Sequence, residues 1–446
     1  MRYLRWSLFS VFASVAICVS AFTGSWRGDL NLGNAVLPLV FNFSEVDDQT
    51  LCTFDSPKQG AFGLHAEVEF CSSDSVSVLL KNIGARLTGR YENDVIKGIF
   101  EQRGFQFPIT LNRELPLLER RPQTPVAPFP YQAVDTVFIA SDGKKIAGTM
   151  ILPDQRNGGD VPMVVMVTGS GAQNRDEEIF GHKPFAVIAD YLGRHGIASF
   201  RYDDRGVGKS EGDFSSSTTY TFKDDAEGAL KFVKSLKGIG KVGMIGHSEG
   251  GTIAFLLAAD DKMDFMISLA GMAVSGKETI LAQNLHSMQR MGMDKEMIEP
   301  SMELIESVFD KMISQVDSNM VSPIDVDAIA KGIEGNISPF VMQSLKQNVA
   351  KRSKWFDTFI SIDPSKNIDS INMPVLALNG SKDTQVDAAK NLEVIRNNIV
   401  NAEIHELEGL NHMFQHAETG EVDEYEQIRE TISPEVLQLI VDFILK

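Results

Sequence analysis

Lys241-Val242-Gly243-Met244-Ile245-Gly246-His247-Ser248-Glu249-Gly250-Gly251 sets a serine between two glycines in the pattern G-x-S-x-G. The apolar run Val242–Gly246 leads into it, and the apolar, helix-forming stretch Thr252–Ala259 leads out. Glycine spacing alone is a weak signal. The strand–turn–helix context gives it meaning, because at so sharp a turn a Cβ on either flanking glycine would collide with the adjoining strand or helix. Such a turn lifts the serine Oγ to the end of a sheet. Ser248 is therefore the candidate nucleophile, in preference to a purely structural glycine turn.

The same alternation extends on both sides. Met163–Val167, Ala198–Tyr202, Val242–Gly246, Phe265–Ala270, Val375–Asn379 and Glu403–Leu407 are short apolar runs bounded by turn residues, as strands buried on both faces require. Val134–Ala140 and Lys145–Leu152 read as a hairpin around Asp142-Gly143, and Asp225–Leu236 and Gly251–Ala259 read as helices. The pattern predicts an α/β chain with a doubly wound, mostly parallel sheet. Between Gly271 and Val375 the strand signal stops. Lys277–Met293, Lys295–Ser314 and Asp325–Arg352 look helical and methionine is frequent, so a helical cap is expected over 272–372. Adaptable methionines suit a surface that closes around an apolar ligand, and equally the core of a plain helix bundle.

A serine hydroxyl needs a base, and the base needs an orienting carboxylate. Asp383 follows the strand Val375–Asn379 in the loop Asn379-Gly380-Ser381-Lys382-Asp383, and His412 follows the last strand in Gly409-Leu410-Asn411-His412. These are the expected partners. The rivals are Asp387, placed one turn into the next helix, and His416, one turn beyond His412. His405 falls within a strand, and the His247 side chain is expected to point away from the His412 ring. The oxyanion of a tetrahedral intermediate needs preorganised donors. The backbone N–H of Glu249 is one. The loop Thr168-Gly169-Ser170-Gly171-Ala172 supplies the other, from Ser170 or alternatively Gly171. Gly208-Lys209-Ser210 imitates the end of a phosphate-binding loop, but position 203, where its first glycine belongs, is Asp. The charged segment Arg201–Ser210 reads instead as a brace for loops near the site. No metal-ligand spacing occurs and no cofactor is expected.

Arg2 and Arg5 precede the apolar run Leu8–Val19, and small residues follow at Ser20 and Ala21. This is the form of a cleavable signal peptide over 1–21, which implies a secreted or periplasmic protein and no stable membrane span after its removal. Residues 22–115 alternate strand-like runs with turn signals and predict a small all-β barrel or sandwich. Five prolines between Leu115 and Tyr131 predict a stiff linker over 116–130, leaving 131–446 as the second domain. Cys52 and Cys71 could bridge in an oxidising compartment if their Cα atoms lie close enough. Forty-two Lys and Arg against 60 Asp and Glu give a net charge of -18. That charge disfavours nucleic acid and anionic lipid as partners.

The Thr168–Asp176 run, the Arg201–Ser210 segment and the Gly246–Gly251 elbow together resemble bacterial α/β-hydrolases related to the EstD-type carboxylesterases. The likeness spans about 131–446 and includes the loops bearing Asp383 and His412. It implies the α/β-hydrolase fold and a small-molecule ester substrate with a short acyl chain. The N-terminal β-domain resembles one that precedes such hydrolases in exported proteins. Serine aminopeptidases share the superfamily and form the alternative activity; a homodimer is compatible with either.

Overall fold

The computed structural model describes residues 22–31, 36–46, 49–56, 61–113, 121–154, 160–317 and 322–446. The signal-peptide reading of 1–21 lies outside these residues. The chain divides into two compact units, Met1–Arg120 and Arg121–Lys446.

The first unit is a closed antiparallel barrel of eight strands in chain order. They are β1 Gly24–Asn31, β2 Val36–Val46, β3 Gln49–Ser56, β4 Ala61–Cys71, β5 Ser75–Leu80, β6 Ala85–Glu92, β7 Val95–Gln102 and β8 Phe105–Arg113. Closure comes from β1 pairing with β8, Trp26 opposite Arg113. Period-2 alternation sends Val76, Val78 and Leu80 inward, as it does Leu87, Ile96, Phe100 and Leu111. With Trp26, Phe41 and Phe54 they fill the interior, as an eight-stranded barrel allows. Cys52 and Cys71 are not bridged to one another. Cys52 faces Ala66 across β3 and β4. Cys71 is thus five residues further along β4, about 16 Å at strand rise, well beyond disulfide reach. Burial pushes the Cys52 thiol pKa up, and nearby Asp55 adds to the shift.

The second unit carries an eight-stranded sheet in the order β16-β15-β14-β13-β11-β12-β10-β9. Its strands are β9 Tyr131–Ile139, β10 Lys145–Pro153, β11 Val161–Val167, β12 Ala198–Tyr202, β13 Ile239–His247, β14 Phe265–Leu269, β15 Val375–Gly380 and β16 Ala402–Leu407. Strands β11 to β16 pair in parallel, while β10 runs antiparallel to β9 and β12. Val165 and Met244 pack into one core, Val164, Met166 and Ile245 into the other. Both faces are therefore covered, which explains the unbroken apolar runs. The strand order turns back at β11, whose neighbours are β12 and β13. Ligands bind at the carboxyl ends of strands flanking such a reversal.

Helices α1 Pro184–Arg194, α2 Thr219–Lys234 and α3 Glu249–Ala259 follow β11, β12 and β13 respectively. Between β14 and β15 the chain forms the cap, with α4 Gly276–Arg290, α5 Lys295–Asp317, α6 Val326–Ala330, α7 Pro339–Ala350 and α8 Lys354–Ser361. The single helix expected over Asp325–Arg352 is two helices. Gly335, at φ 106°, and Pro339 at the start of α7 interrupt it. Helices α9 Ala388–Asn398 and α10 Pro434–Ile444 complete the unit.

The stiff connector read over 116–130 needs correction. From Arg121 onward the chain is part of the second unit. The Arg121 side chain is buried and donates to the carbonyls of Phe180, Glu426 and Ile428. A guanidinium with its donors satisfied by carbonyls can be buried where proline density alone suggested an exposed tether.

Candidate active site

Ser248 stands between β13 and α3 with φ 52° and ψ -118°, a conformation costly to any residue with a side chain. Its backbone N–H bonds to Leu269 O at 3.0 Å, pinning the turn to the neighbouring strand. The glycines around it are needed for space. A Cβ at Gly246 would sit 2.1 Å from Gly250 O, and one at Gly250 would sit 2.1 Å from Val167 O. The serine hydroxyl does not cap the helix it precedes.

Asp383 lies in the loop after β15. Its Oδ1 accepts from the N–H groups of Gln385 and Val386, each at 2.9 Å. Its Oδ2 accepts from Asn379 Nδ2 at 3.1 Å and pairs with His412 Nδ1 at 2.8 Å. Four contacts thus fix the carboxylate and, through it, one face of the imidazole. His412 lies in the loop after β16 and lines one cavity of about 260 Å³ together with Ser248 and Ser170. The rivals lie in other roles. Asp387 is the N-cap of α9, accepting from Lys390 N at 2.9 Å. This corrects its expected place inside the helix. His416 is exposed and pairs with Glu430 at 2.8 Å.

Glu249 opens α3, where first-turn N–H groups have no helical partner. Its buried side chain collects three donors: Thr219 Oγ1 at 2.6 Å, Ser170 Oγ at 2.7 Å and Trp355 Nε1 at 3.0 Å. Burial raises the Glu249 pKa, and these three donors oppose the rise. One carboxylate therefore ties the loop after β11 to cap helix α8. The cavity wall includes Ser170 but not Gly171.

Two more carboxylates hold the same loop. Asp204 accepts from Thr168 Oγ1 at 3.1 Å and Gln173 N at 3.0 Å. Burial pushes its pKa up to about 7. Glu177, itself at φ 52°, accepts from Gly169 N at 2.7 Å and pairs with His247 Nδ1 at 2.9 Å. Asp203 clamps Arg175 at 2.7 Å, and Arg205 bridges Asp225 and Asp142. The Arg201–Ser210 segment thus works through carboxylates and guanidinia.

His247 is where sequence reasoning fell short. Its ring lies 4.8 Å from that of His412, rather than pointing away. Nδ1 meets a carboxylate oxygen and Nε2 meets the His412 carbonyl at 3.0 Å. An ionised Glu177 and a carbonyl are both acceptors, an arrangement that favours a doubly protonated ring. Burial drives its pKa down, but the charge and hydrogen bond of Glu177, with the His412 carbonyl, more than offset this and the net direction is up. Glu177 lies 70 residues away in sequence, so no local pattern announces the pair.

A family profile described as alpha/beta hydrolase fold matches residues 162–419. The chain belongs to the α/β-hydrolase fold family. It is 24% identical over 241 residues to the esterase EstD of Thermotoga maritima, covering 54% of this chain and 50% of that protein. It is 23% identical over 264 residues to an acyl transferase of Shewanella hanedai, covering 59% of this chain and 70% of that protein. The chain thus spans about half the length of the EstD relative. An esterase of Pyrococcus furiosus superposes with a TM-score of 0.42 at 16% identity, covering 71% of this chain and 91% of that one. Within the α/β-hydrolase family, the carboxyl ends of β11, β13, β15 and β16 supply here the loop of Ser170, Ser248, Asp383 and His412.

Proposed function

We propose that this protein is a serine hydrolase that cleaves carboxylic esters through an acyl-enzyme formed on Ser248. The observation that carries the reading is the Asp383–His412 pair at 2.8 Å on the same cavity as a serine held at φ 52°. With Nδ1 taken by Asp383, Nε2 of His412 is the nitrogen left to accept the Ser248 proton and return it to the leaving alcohol. The N–H groups of Glu249 and Ser170 receive the oxyanion. Water then takes the place of the alcohol and releases the acid.

An ester is favoured over a peptide amine by the composition of the cavity. Met272, Ile280, Phe359 and Val422 line it beside Gln173, Gln283 and Gln385. Its one acidic lining residue, among the described residues, is Glu177, which is already paired with His247. A peptidase that anchors an α-amine needs an unpaired carboxylate there. Short acyl groups, which the sequence resemblance implies, belong to this cavity. Export through the segment 1–21 is part of the same proposal.

The test is turnover of p-nitrophenyl acetate, p-nitrophenyl octanoate and aminoacyl p-nitroanilides, with fluorophosphonate labelling of wild type and Ser248→Ala. Ester turnover and labelling that both vanish in Ser248→Ala are expected. Labelling that survives the substitution, or a preference for the anilides, would overturn the proposal.

A further inference from the structure

A second cavity, of about 340 Å³, lies inside the cap. Ile280 lines both it and the Ser248 cavity. On α4 and its C-cap the residues lining it are Ile280, Asn284, Ser287, Met288 and Met291. Their spacing of four, three or four, and three or four traces one helix face. From Ile280 to Met291 that face runs about 16 Å at helical rise. At the inner end, Ile280 meets the catalytic cavity. At the outer end, Met291 and Phe340 are 54% and 63% exposed. Between them the deeper wall is buried and apolar, with Met288, Met312 and Leu345, while Asn284, Ser287, Ser344 and Asn348 line its outer side. A cavity with an exposed mouth at one end and a wall residue, Ile280, shared with the Ser248 cavity at the other is more than a bundle core requires. A core would close on itself.

We infer that the cap cavity is a second subsite, which takes the distal part of a linear apolar acyl chain whose carbonyl sits at Ser248. This rests on the ester-hydrolase reading above and extends it from short chains to longer ones. The occupant follows from continuity with the catalytic cavity at Ile280 and from the lining. Among the described residues no Lys, Arg, Asp, Glu or His side chain lines the cap cavity, so an ionic group finds no counter-charge from them. The thioethers of the lining adapt to chains of different length.

Chain-length selectivity tests this directly. kcat/KM is measured for p-nitrophenyl acetate, butanoate, octanoate and decanoate in wild type, Ser344→Trp and Asn348→Trp. Both substituted positions line the cap cavity on α7, and Asn348 is exposed, so a bulky ring there leaves the fold intact even if Ser344→Trp does not fold. Wild type is expected to gain roughly fourfold per added methylene beyond butanoate, the ratio that burial of one CH₂ supplies, until the chain fills the cavity. The tryptophan variants are expected to lose octanoate turnover tenfold or more and to keep acetate turnover within twofold. A wild-type profile that falls from butanoate onward, or a folded variant that changes acetate and octanoate turnover by the same factor, would overturn the subsite and leave the esterase reading standing. Absence of turnover for every ester, acetate included, would strike at the esterase reading itself and the subsite with it.

Discussion

Glu177→Gln tests the electrostatics of the site most sharply. In the folded protein Glu177 is 4% and His247 6% exposed, and the two meet at 2.9 Å. The substitution keeps size and polarity and removes the charge that holds the proton on His247. Burial then dominates and the ring becomes neutral. A neutral imidazole has one N–H; if it stays on the His412 carbonyl, the new amide must donate to Nδ1 and can no longer accept from Gly169 N–H at the same position, so one of the three links is lost. Because the ring sheds its charge, the cost is that of a charge-assisted hydrogen bond, about 1.5–3 kcal/mol. The sign with pH is fixed by the raised His247 pKa. Its stabilisation is fully present below the unfolded value of about 6.5 and is lost as pH rises through the higher folded value. Wild type should therefore lose part of its margin over Glu177→Gln as pH climbs above neutrality. The assay is urea unfolding of the second unit at several pH values from 6 to 9, with the His247 ring protons followed by NMR. The Gly169 N–H also loses its charged acceptor, so kcat on an ester should fall on the order of 100-fold as the Ser170 loop loosens. The reasoning fails if Glu177→Gln lies within about 0.5 kcal/mol of wild type at pH 6 and shows the same His247 titration.

Glu249→Ala strips the acceptor from Thr219, Ser170 and Trp355. Only Thr219 is fully buried, with Ser170 exposed and Trp355 half-buried, so a loss of about 1–3 kcal/mol for the one donor left dry is expected, and Glu249→Gln should recover over half; thermal unfolding read by tryptophan emission compares them. Asp204, pushed up to about 7 by burial, favours the fold fully below its unfolded value of about 3.9, and that contribution is lost as pH rises through 7. Relative to Asp204→Asn, wild type should lose about 1.4 kcal/mol per pH unit across that window, and parallel unfolding curves would contradict this. Gly250→Ala places a Cβ 2.1 Å from Val167 O, whereas one at Gly240 would meet nothing nearer than 3.4 Å. The first should abolish ester turnover or soluble expression, and Gly240→Ala should do neither.

Much of the fold could be read along the chain because the deciding interactions are local. Strands β11 to β15 are buried on both faces and announce themselves as unbroken apolar runs. The elbow needs only the small residues beside Ser248. Asp383 and His412 were found by their place after strand ends, where a sheet of this topology presents its loops. One feature was legible only as two alternatives, and one was misread. Whether the N-terminal strands form a barrel or a sandwich depends on β1 meeting β8, Trp26 opposite Arg113, a pairing that alternation within a strand cannot specify. The cap helix expected over Asp325–Arg352 shows apolar periodicity on both sides of its break, and that periodicity masked it.

The order of elements, the strained serine and the loops bearing its expected partners were determined by residue type and spacing alone, because backbone sterics and burial periodicity act over a few residues. Tertiary structure alone decided the charge on His247, the gathering of Asp204, Glu177 and Glu249 around one loop, the burial of Arg121 and the passage from Ile280 to Met291. Those depend on groups brought together from 70 residues apart for His247 and Glu177 and 106 for Glu249 and Trp355. The strength of a buried charge or the width of a cavity is set by everything packed around it, which no single stretch of chain contains.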